Sequence, residues 1–309
     1  MYDVSIIIPT YNRLWSLPKA VASCFETRLN IEVIVIDDGS TDGTGIWLED
    51  QSNLVYIKQE NQGKDHAVNN GFAIAKGKYI RFLDSDDWHL PYSTDKLFEE
   101  AEANNLDVVC AGYEVYNEAE KLLEQKQWIN CDDFLAQQLG ECDSSHYSAY
   151  LFKRDFIEDI PHRQEYGALD DRQFIIATAM KWPKTGYINE LTLAHRIHHQ
   201  PRLQSPEKSV EIANHSALLR IYKECFATLK ENGDLTPRRI DAGLIYLWPL
   251  AHWIAKNDIE EAQRLVNWIK DLKPGFQIPE KGIIAALYGS LGFTNTEKLL
   301  RLRRFLKYR

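Results

Sequence analysis

The chain has 309 residues, of which 44% are hydrophobic and 26% charged, a composition typical of a soluble globular protein with one large domain and an appendage. Its formal net charge of −9 argues against nucleic acid as a partner, because phosphate backbones are bound by basic patches. The five cysteines are odd in number and lack C-x-x-C spacing. This predicts a reducing compartment and argues against a disulfide framework or a zinc site.

Strands alternate with helices over the first hundred residues. Continuous aliphatic runs predict strands buried on both faces of a parallel sheet, and the apolar spacing between them predicts helices. The predicted strands span residues 4–8, 32–36, 54–58 and 79–83, and the predicted helices span 17–26, 65–75 and 94–104, with another helix ending at residue 50. Pro9 is expected to end the first strand, since proline cannot donate to a central ladder. This order indicates right-handed βαβ units whose polar loops meet at one edge of the sheet.

The second half of the chain changes character at Pro206. Before it, strands are predicted at 107–116, 147–152 and 187–197 and a helix at 169–181, while residues 117–141 are polar and receive no assignment. After it, the periodicity predicts only helices, at residues 210–230, 241–256, 259–272 and 281–291. We therefore expect an α/β domain over residues 1–206 and an all-helical domain over residues 207–309.

The predicted strand at 79–83 runs directly into the carboxylates of Asp84, Asp86 and Asp87. In an extended segment Asp84 and Asp86 point the same way, and adjacent carboxylates repel unless a cation lies between them. Mg²⁺ and Mn²⁺ prefer oxygen ligands, and Mg²⁺ is commonly shared between carboxylates and substrate phosphates. The sequence thus predicts a metal-bridged phosphate ligand at the carboxyl end of this strand. The alternative is an Asp-rich turn that caps the following helix.

Three segments resemble the family 2 glycosyltransferases, in the family's order and at about its separations. They are VSIIIPTYNR at residues 4–13, VIDDGSTD at 35–42 and YIRFLDSDDW at 79–88, and a weaker match extends to about residue 198. The resemblance implies the GT-A fold, a nucleotide-sugar donor such as a UDP-sugar, Mn²⁺ or Mg²⁺ as cofactor, and inversion at the anomeric carbon. It also implies an acceptor hydroxyl on a glycan or a lipid-linked saccharide.

The resemblance assigns the donor site residue by residue. Tyr11 is expected to pack on the base, and Asp38 is expected to accept a hydrogen bond from a uracil-like edge, with a turn or N-cap carboxylate as the alternative. Lys64 matches a basic position near base or phosphate, although Val68 stands where many members carry arginine. The full set of expected donor contacts is Pro9, Thr10, Tyr11, Arg13, Asp38, Lys64, Asp84 and Ser85.

The metal and the catalytic base are assigned in the same way. Asp84-Ser85-Asp86 resembles the DxD motif, so Asp86 and Asp84 are the expected metal ligands, with Asp87 structural. In the segment HRIH at 195–198, His198 resembles a histidine that reaches the metal or the diphosphate, with a structural role or His199 as alternatives.

The segment LDDRQF at residues 169–174 resembles the family's Glu-Asp motif, so Asp171 is the expected base, and Asp170 is one methylene shorter than the usual glutamate. The alternative is an ordinary acidic first turn, which the helix dipole favours.

The C-terminal segment 296–309 carries six basic residues against one acid, with leucines at helical spacing. Such a helix can lie on an anionic membrane, with residues from 282 onward adding apolar contact, and this would suit a lipid-linked acceptor. The alternative is a terminal helix docked on the helical domain. The first residues contain no basic region followed by a long apolar core, so we expect no signal peptide, and no run approaches the ~20 apolar residues of a membrane span. We expect a cytoplasmic protein, either free or peripheral on the inner face of the membrane, with homo-oligomerisation left open.

Two further functions compete with an active transferase. A non-catalytic nucleotide-sugar-binding or scaffold protein would keep the pocket without the chemistry, which the presence of Asp86 and Asp171 argues against. A sugar nucleotidyltransferase would require a glycine-rich phosphate loop after the first strand, where this chain has PTYN at residues 9–12.

Overall fold

The computed structural model describes residues 2–200 and 207–307, with side chains as far as residue 303. These residues form two compact units, one comprising residues 2–138 and 143–200 and the other residues 139–142 and 207–307. The predicted division between residues 206 and 207 stays a prediction, because residues 201–206 lie outside the described residues.

A mixed sheet forms the first unit. Its described strands are β1 (Val4–Thr10), β2 (Ile31–Asp37), β3 (Val55–Lys58), β4 (Tyr79–Phe82), β5 (Trp88–His89), β6 (Val108–Tyr116), β7 (Leu122–Lys126), β8 (Leu151–Lys153) and β9 (Thr185–Arg196). The strand order is β3-β2-β1-β4-β8-β6-β9-β5, with β7 beside β6. The predicted parallel pairing is found among β1 to β4, whereas β8 joins β4 and β6 in antiparallel fashion.

Helices cover both faces of this sheet. They are α1 (Leu17–Cys24), α2 (Thr44–Glu49), α3 (Lys64–Ile74), α4 (Ser93–Asn104), α5 (Phe134–Leu139), α6 (Arg154–Ile157) and α7 (Asp170–Met180). Alternate β1 side chains enter two separate cores: Ile6 and Ile8 pack with residues of α1 and α4, and Ile7 packs with residues of α3 and α7. Each buried isoleucine contributes about 1.5–3 kcal/mol. The predicted α/β class is confirmed for this unit.

Close packing of α3 on β1 depends on Gly71. A Cβ at this position would lie 2.6 Å from Cγ2 of Ile7, so only glycine lets the helix approach the strand this closely. The helix begins after Gly63, whose φ of +100° is unfavourable for other residues. Together these glycines fix where the first turn of α3 lies against the edge of the sheet.

The prediction that Pro9 ends the first strand is wrong, because β1 continues to Thr10. Leu83 N–H donates to Ile7 on the β4 side, and Asp38 N–H donates to Thr10 on the β2 side. Pro9 is two residues beyond Ile7 and therefore faces the β4 side, where strand pairing ends with Ile7 and Phe82. Its missing N–H thus costs no ladder hydrogen bond.

Two other segments differ from the sequence expectation. The polar stretch without an assignment contains β7 and α5, and the predicted strand at 147–152 begins as a 3-10 helix, Tyr147–Ala149, before β8. His146 stabilises this 3-10 helix, since its Nδ1 accepts a hydrogen bond from Ser148 N–H at 3.3 Å. The strand pattern there was produced by buried side chains, which a 3-10 helix can also provide.

The second unit is helical over its described residues 207–307, as expected. Its helices are α8 (Lys208–Asn232), α9 (Pro237–Ala255), α10 (Ile259–Leu272) and α11 (Gly282–Lys307). Thr236 caps α9 and Asp258 caps α10 through side-chain oxygens that accept first-turn N–H groups. The predicted helix at 281–291 is longer in the structure and continues past a non-helical Gly292 into the basic segment.

The predicted membrane contact through residues 282–309 stays a prediction. Ile283, Leu299 and Leu302 are exposed on α11, while Thr296 and Glu297 are buried. In the part of the chain that the structure describes, none of the helices combines the length and apolar composition that a membrane crossing requires.

Candidate functional site

Polar loops from three parallel strands meet at the carboxyl edge of the sheet, as predicted. The loop after β1 contacts the loop after β2 through Asn12, whose N–H donates to Ser40 Oγ at 2.8 Å. It also contacts the loop after β4, since Ser16 Oγ donates to the Ser85 carbonyl at 2.8 Å. The first turns of α3 and α7 reach the same edge through Lys64 and Asp171. The site is thus assembled from segments that are far apart in sequence.

The acidic tip after β4 is a turn, so the extended geometry expected for Asp84 and Asp86 is wrong. Asp87 N–H donates to the Asp84 carbonyl at 3.1 Å, which closes the turn. The two carboxylates therefore have different partners: Asp84 pairs with Lys64, and Asp86 pairs with His198. Ser85, which lies between them in the sequence, is buried. Its carbonyl accepts the hydrogen bond from Ser16 that joins this turn to the loop after β1.

Lys64 joins the acidic tip to the first turn of α7. Its Nζ lies 2.8 Å from Asp84 Oδ1 and 2.9 Å from Asp171 Oδ2, and we call these three residues the accessible cluster. Burial acts to lower the pKa of Lys64, but the carboxylates of Asp171 and Asp84 outweigh it and hold that pKa well above its ordinary value. Burial likewise acts to raise the pKa of Asp84, and the Lys64 ammonium outweighs it, so that pKa is lowered. Lys64 and Asp84 are therefore both charged at neutral pH.

Asp86 and His198 form a second pair at this edge. His198 Nε2 lies 2.8 Å from Asp86 Oδ2, and Arg13 Nε lies 3.7 Å from the same oxygen. The other ring nitrogen of His198 is buried and has no hydrogen-bond partner among the described residues. A carboxylate oxygen beside an imidazole nitrogen is a ligand set that suits Mn²⁺, so these residues fit the expected metal. Asp84 can join these two ligands only by giving up its contact with Lys64 for a contact with the metal ion.

Asp38 anchors the loop that leads into α3. Its Oδ1 accepts hydrogen bonds from Gln59 Nε2 and Gln62 N–H at 2.8 Å, and its Oδ2 accepts one from Gly63 N–H at 2.9 Å. The turn after β2 is stabilised instead by Asp42, whose Oδ1 accepts hydrogen bonds from the N–H and the hydroxyl of Thr44. A carboxylate offers about four acceptor positions, so three donors leave Asp38 able to accept one more.

The end of β1 presents the remaining predicted donor contacts. Pro9 and Thr10 are in the strand, and Thr10 Oγ1 is buried without a hydrogen-bond partner among the described residues. Tyr11 follows with 45% of its surface exposed, which leaves its ring available for stacking.

Asp87 has a structural role. Its buried carboxylate accepts a hydrogen bond from Arg196 N–H at 2.8 Å and lies 3.0 Å from His195 Nδ1. Because β9 ends at Arg196, Arg196 and His198 do not belong to one extended run. The Arg196 guanidinium donates to Glu120 at 2.9 Å.

Behind the accessible cluster is a second group of ionisable residues that sequence reasoning missed. Asp170 Oδ2 contacts His162 Nδ1, and its Oδ1 accepts a hydrogen bond from Arg163 N–H at 2.6 Å. Asp65 hydrogen-bonds to Asp170, and we call Asp65, Asp170 and His162 the buried cluster. Asp65 could have been noticed because it follows Lys64 in the first turn of α3, just as Asp171 follows Asp170 in the first turn of α7. His162 belongs to no motif in the sequence.

Comparison with known proteins identifies the family. Residues 5–160 match the family described as Glycosyl transferase family 2, which is half of the chain. The chain therefore belongs to glycosyl transferase family 2. It is 34% identical over 122 residues to glycosyltransferase GlyA of Streptococcus pneumoniae serotype 4, a match that covers 38% of this chain. The matched region spans only 18% of GlyA's length.

Solved structures share the fold over nearly the whole chain. TarS residues 1–349 of S. aureus in complex with UDP-GlcNAc superposes with a TM-score of 0.58 at 16% identity, covering 99% of this chain and 93% of TarS. Mannosyltransferase PcManGT of Pyrobaculum calidifontis, in complex with GDP-Man and Mn²⁺, gives 0.51 at 15% identity, covering 97% of this chain and 87% of that protein. The fold is thus the GT-A fold with a C-terminal helical region.

Proposed function

We propose that this protein is an inverting glycosyltransferase that moves a sugar from a nucleoside-diphosphate-sugar, of which UDP-sugars are the first candidates, to an acceptor hydroxyl. The observation that carries the proposal is the Lys64 bridge between Asp84 and Asp171. This bridge supports the proposal because Asp171, the candidate base, lies beside the acidic tip, where the diphosphate of a donor would be held. TarS and PcManGT, which share the fold, were solved with UDP-GlcNAc and with GDP-Man and Mn²⁺.

The donor would be bound along the ends of β1 and β2. Tyr11 would cover one face of the base, and Asp38 would use its remaining acceptor position for an N–H of a uracil-type edge. Arg13 lies close to Asp86 and would face the negative charge of the diphosphate. These contacts would fix the position of the anomeric carbon before the acceptor arrives.

A divalent cation would be held by Asp86 and His198, with Asp84 as a third ligand. When bound there, such an ion supplies positive charge that stabilises the departing diphosphate. Lys64 and Arg13 add positive charge from the protein itself. Charge that is positioned before the reaction is usually the largest single catalytic contribution.

Asp171 would act as the general base. Its carboxylate would take the proton of the acceptor hydroxyl as that oxygen attacks the anomeric carbon and the bond to the donor phosphate breaks. Attack from the side opposite the leaving group inverts the anomeric configuration. The negative charge of the leaving diphosphate competes for Lys64, which would free Asp171 for the proton.

The acceptor class follows from the family and from α11. We propose a hydroxyl of a glycan or of a lipid-linked saccharide, reached at the inner face of the membrane if the basic end of α11 binds anionic lipid. The net charge of −9 gives no reason to invoke nucleic acid. Pairing between two copies of the chain is a further proposal that sedimentation would test.

Two measurements test this function. The first is a thermal-shift screen of UDP, GDP, CDP and their sugars with and without Mn²⁺, since a ligand that binds only the folded state raises the melting temperature. We expect one nucleotide series to shift the wild type, with a larger shift when Mn²⁺ is present. No shift with any nucleotide would contradict a donor site.

The second measurement is donor turnover by the Asp171→Asn variant. We expect kcat to fall by roughly 10²–10⁴ while nucleotide binding is retained, because a missing general base affects only the chemical step. Asp155→Asn, on an exposed side chain in α6, is the matched control and should behave as the wild type. Nucleotide binding without turnover in the wild type, with any donor and acceptor, would favour the scaffold function instead.

A further inference from the structure

The first turns of α3 and α7 face each other through two pairs of side chains. Each helix begins with two charged residues, Lys64 and Asp65 in α3 and Asp170 and Asp171 in α7. Lys64 pairs with Asp171 on the accessible side, and Asp65 pairs with Asp170 on the buried side. Because each pair uses the neighbouring residue on the same two helices, a change in the contact between Asp65 and Asp170 would also change the distance between the Lys64 ammonium and the Asp171 carboxylate.

The buried pair is held from several directions. Asp170 is fixed by Arg163 N–H and by the ring of His162. That ring stacks on Phe174 of α7 at 4.4 Å between centroids, and its Nε2 lies 2.7 Å from the hydroxyl of Tyr147. The backbone of His162 is clamped to α3 by Asn69, which accepts from its N–H at 2.9 Å and donates to its carbonyl at 2.8 Å. His162 thus joins both helices.

Two carboxylates in direct contact cannot both be charged in a buried position. Burial, together with the charge and hydrogen bond of Asp170, raises the pKa of Asp65 to about 7, against the opposing charges of His162 and Lys64. The ionisable groups that face Asp65 are Asp170 of α7, His162 and Tyr147 of the connecting segments, and Lys64 on its own helix. Below neutral pH Asp65 therefore carries a proton that it donates to Asp170.

We propose that Asp65, Asp170 and His162 are positioning residues, which set the separation of Lys64 and Asp171 through the hydrogen bond that joins the first turns of α3 and α7. This deepens the proposed function and rests on it, since Asp171 matters as a base only if the protein transfers sugar. Ionised Asp65 would repel Asp170, separate the two turns and move Asp171 away from its place. A displacement of about 1 Å in a catalytic group can cost ~100-fold in rate.

The test compares kcat and the donor KM of the wild type, Asp65→Asn and Asp65→Ala between pH 6 and pH 9. Asparagine donates the same hydrogen bond as protonated Asp65 but cannot ionise, whereas alanine removes the contact. We expect Asp65→Ala to lose at least ~10-fold in kcat with KM within ~2-fold, and Asp65→Asn to recover most of that loss. The wild type should lose kcat as the pH rises above 7, and Asp65→Asn should lack that decline. Superimposable pH profiles for the wild type and Asp65→Asn would overturn the proposal.

A second readout needs no turnover. A carboxyl whose pKa is about 7 in the folded protein and 3.8 ordinarily stabilises the fold through its proton. This stabilisation is complete below pH 3.8 and is lost as the pH rises to about 7. The melting temperature of the wild type relative to Asp65→Asn should therefore decline from pH 4 to pH 7 and be constant above pH 7. A constant difference from pH 4 to pH 8 would overturn the shared proton, and Asp155→Asn serves as the surface control.

The two experiments separate this inference from the proposed function. If the wild type transfers no sugar but its melting temperature shows the expected decline relative to Asp65→Asn, the shared proton is supported and the transferase proposal fails. If the wild type is an active transferase and both readouts are insensitive to Asp65→Asn, the positioning role fails and the transferase proposal stands.

Discussion

The accessible cluster and the buried cluster use the same two helix starts in opposite ways. On the accessible side, one ammonium lies between the carboxylates of Asp84 and Asp171, and the three side chains keep 18–29% of their surface exposed. On the buried side, Asp65 and Asp170 meet with no lysine or arginine side chain between them among the contacts described, and a proton takes the place of the cation. Ion pairs near water can exchange partners with an incoming diphosphate, whereas a buried hydrogen bond can only keep or lose its geometry. In the proposed function, the accessible cluster takes part in the reaction and the buried cluster holds the two helix starts in place.

After Asp171→Asn, the largest effect is expected from Asp86→Asn, at the acidic tip beside the accessible cluster. Asparagine keeps the shape of Asp86 but removes the charge that would bind a divalent ion beside His198. We expect kcat to fall by roughly 100-fold and the Mn²⁺ concentration for half-maximal activity to rise, with little change in melting temperature without Mn²⁺. Turnover measured against Mn²⁺ concentration checks this. A variant that matches the wild type at every Mn²⁺ concentration would exclude Asp86 as a ligand.

Lys64→Met is expected to have the next largest effect. Methionine keeps the length of the side chain and removes the ammonium, so that the charges of Asp84 and Asp171 face each other without compensation. We expect kcat to fall by ~10-fold to 100-fold, because the variant lacks the cation that, in the proposed function, would face the diphosphate. Steady-state kinetics measures this. Lys153→Met is the control, since Lys153 also faces a carboxylate, Asp107 at 3.8 Å, on a part-exposed surface. Equal losses in both variants would contradict a specific role for Lys64.

Asn69→Ala is expected to have the smallest effect on turnover and to act on stability. It removes both hydrogen bonds to the backbone of His162 and leaves those groups unpaired inside the protein. We expect the free energy of unfolding to fall by about 1–3 kcal/mol, measured by urea denaturation. Asn104→Ala, which removes an exposed amide that bonds only within α4, should cost much less. If Asn69→Ala lowered kcat more than Lys64→Met and left stability unchanged, the assignment of the reaction to the accessible cluster and of structural support to the buried cluster would be contradicted.

The sequence was informative where the chemistry is local. The aliphatic runs of β1 and β2 predicted their strands to within two residues at each end, because strands buried on both faces leave an uninterrupted pattern. The alternation of strands and helices also predicted that the polar loops meet at one edge of the sheet. The tip at Asp84 and Asp86 was misread because alternation assumes an extended chain, and a hydrogen-bonded turn follows no such rule.

The buried cluster could not be predicted for a different reason. Asp65, His162 and Asp170 are separated by up to 105 residues, and only the packing of α7 beside α3 brings them together. Acids in a first helical turn are common, so neither Asp65 nor Asp170 indicated that it would be buried. Asp170, whose side chain is one methylene shorter than the family's usual glutamate, is the residue that contacts His162.

A crystal structure of the protein with UDP and Mn²⁺ tests the central claim most directly. We predict that the ion is bound by Asp86 and His198, that the diphosphate lies beside Lys64 and Arg13, and that Asp171 faces the open side where an acceptor hydroxyl would approach. A nucleotide bound away from the carboxyl edge of the sheet, with Asp86 and Asp171 in contact with solvent alone, would contradict the account.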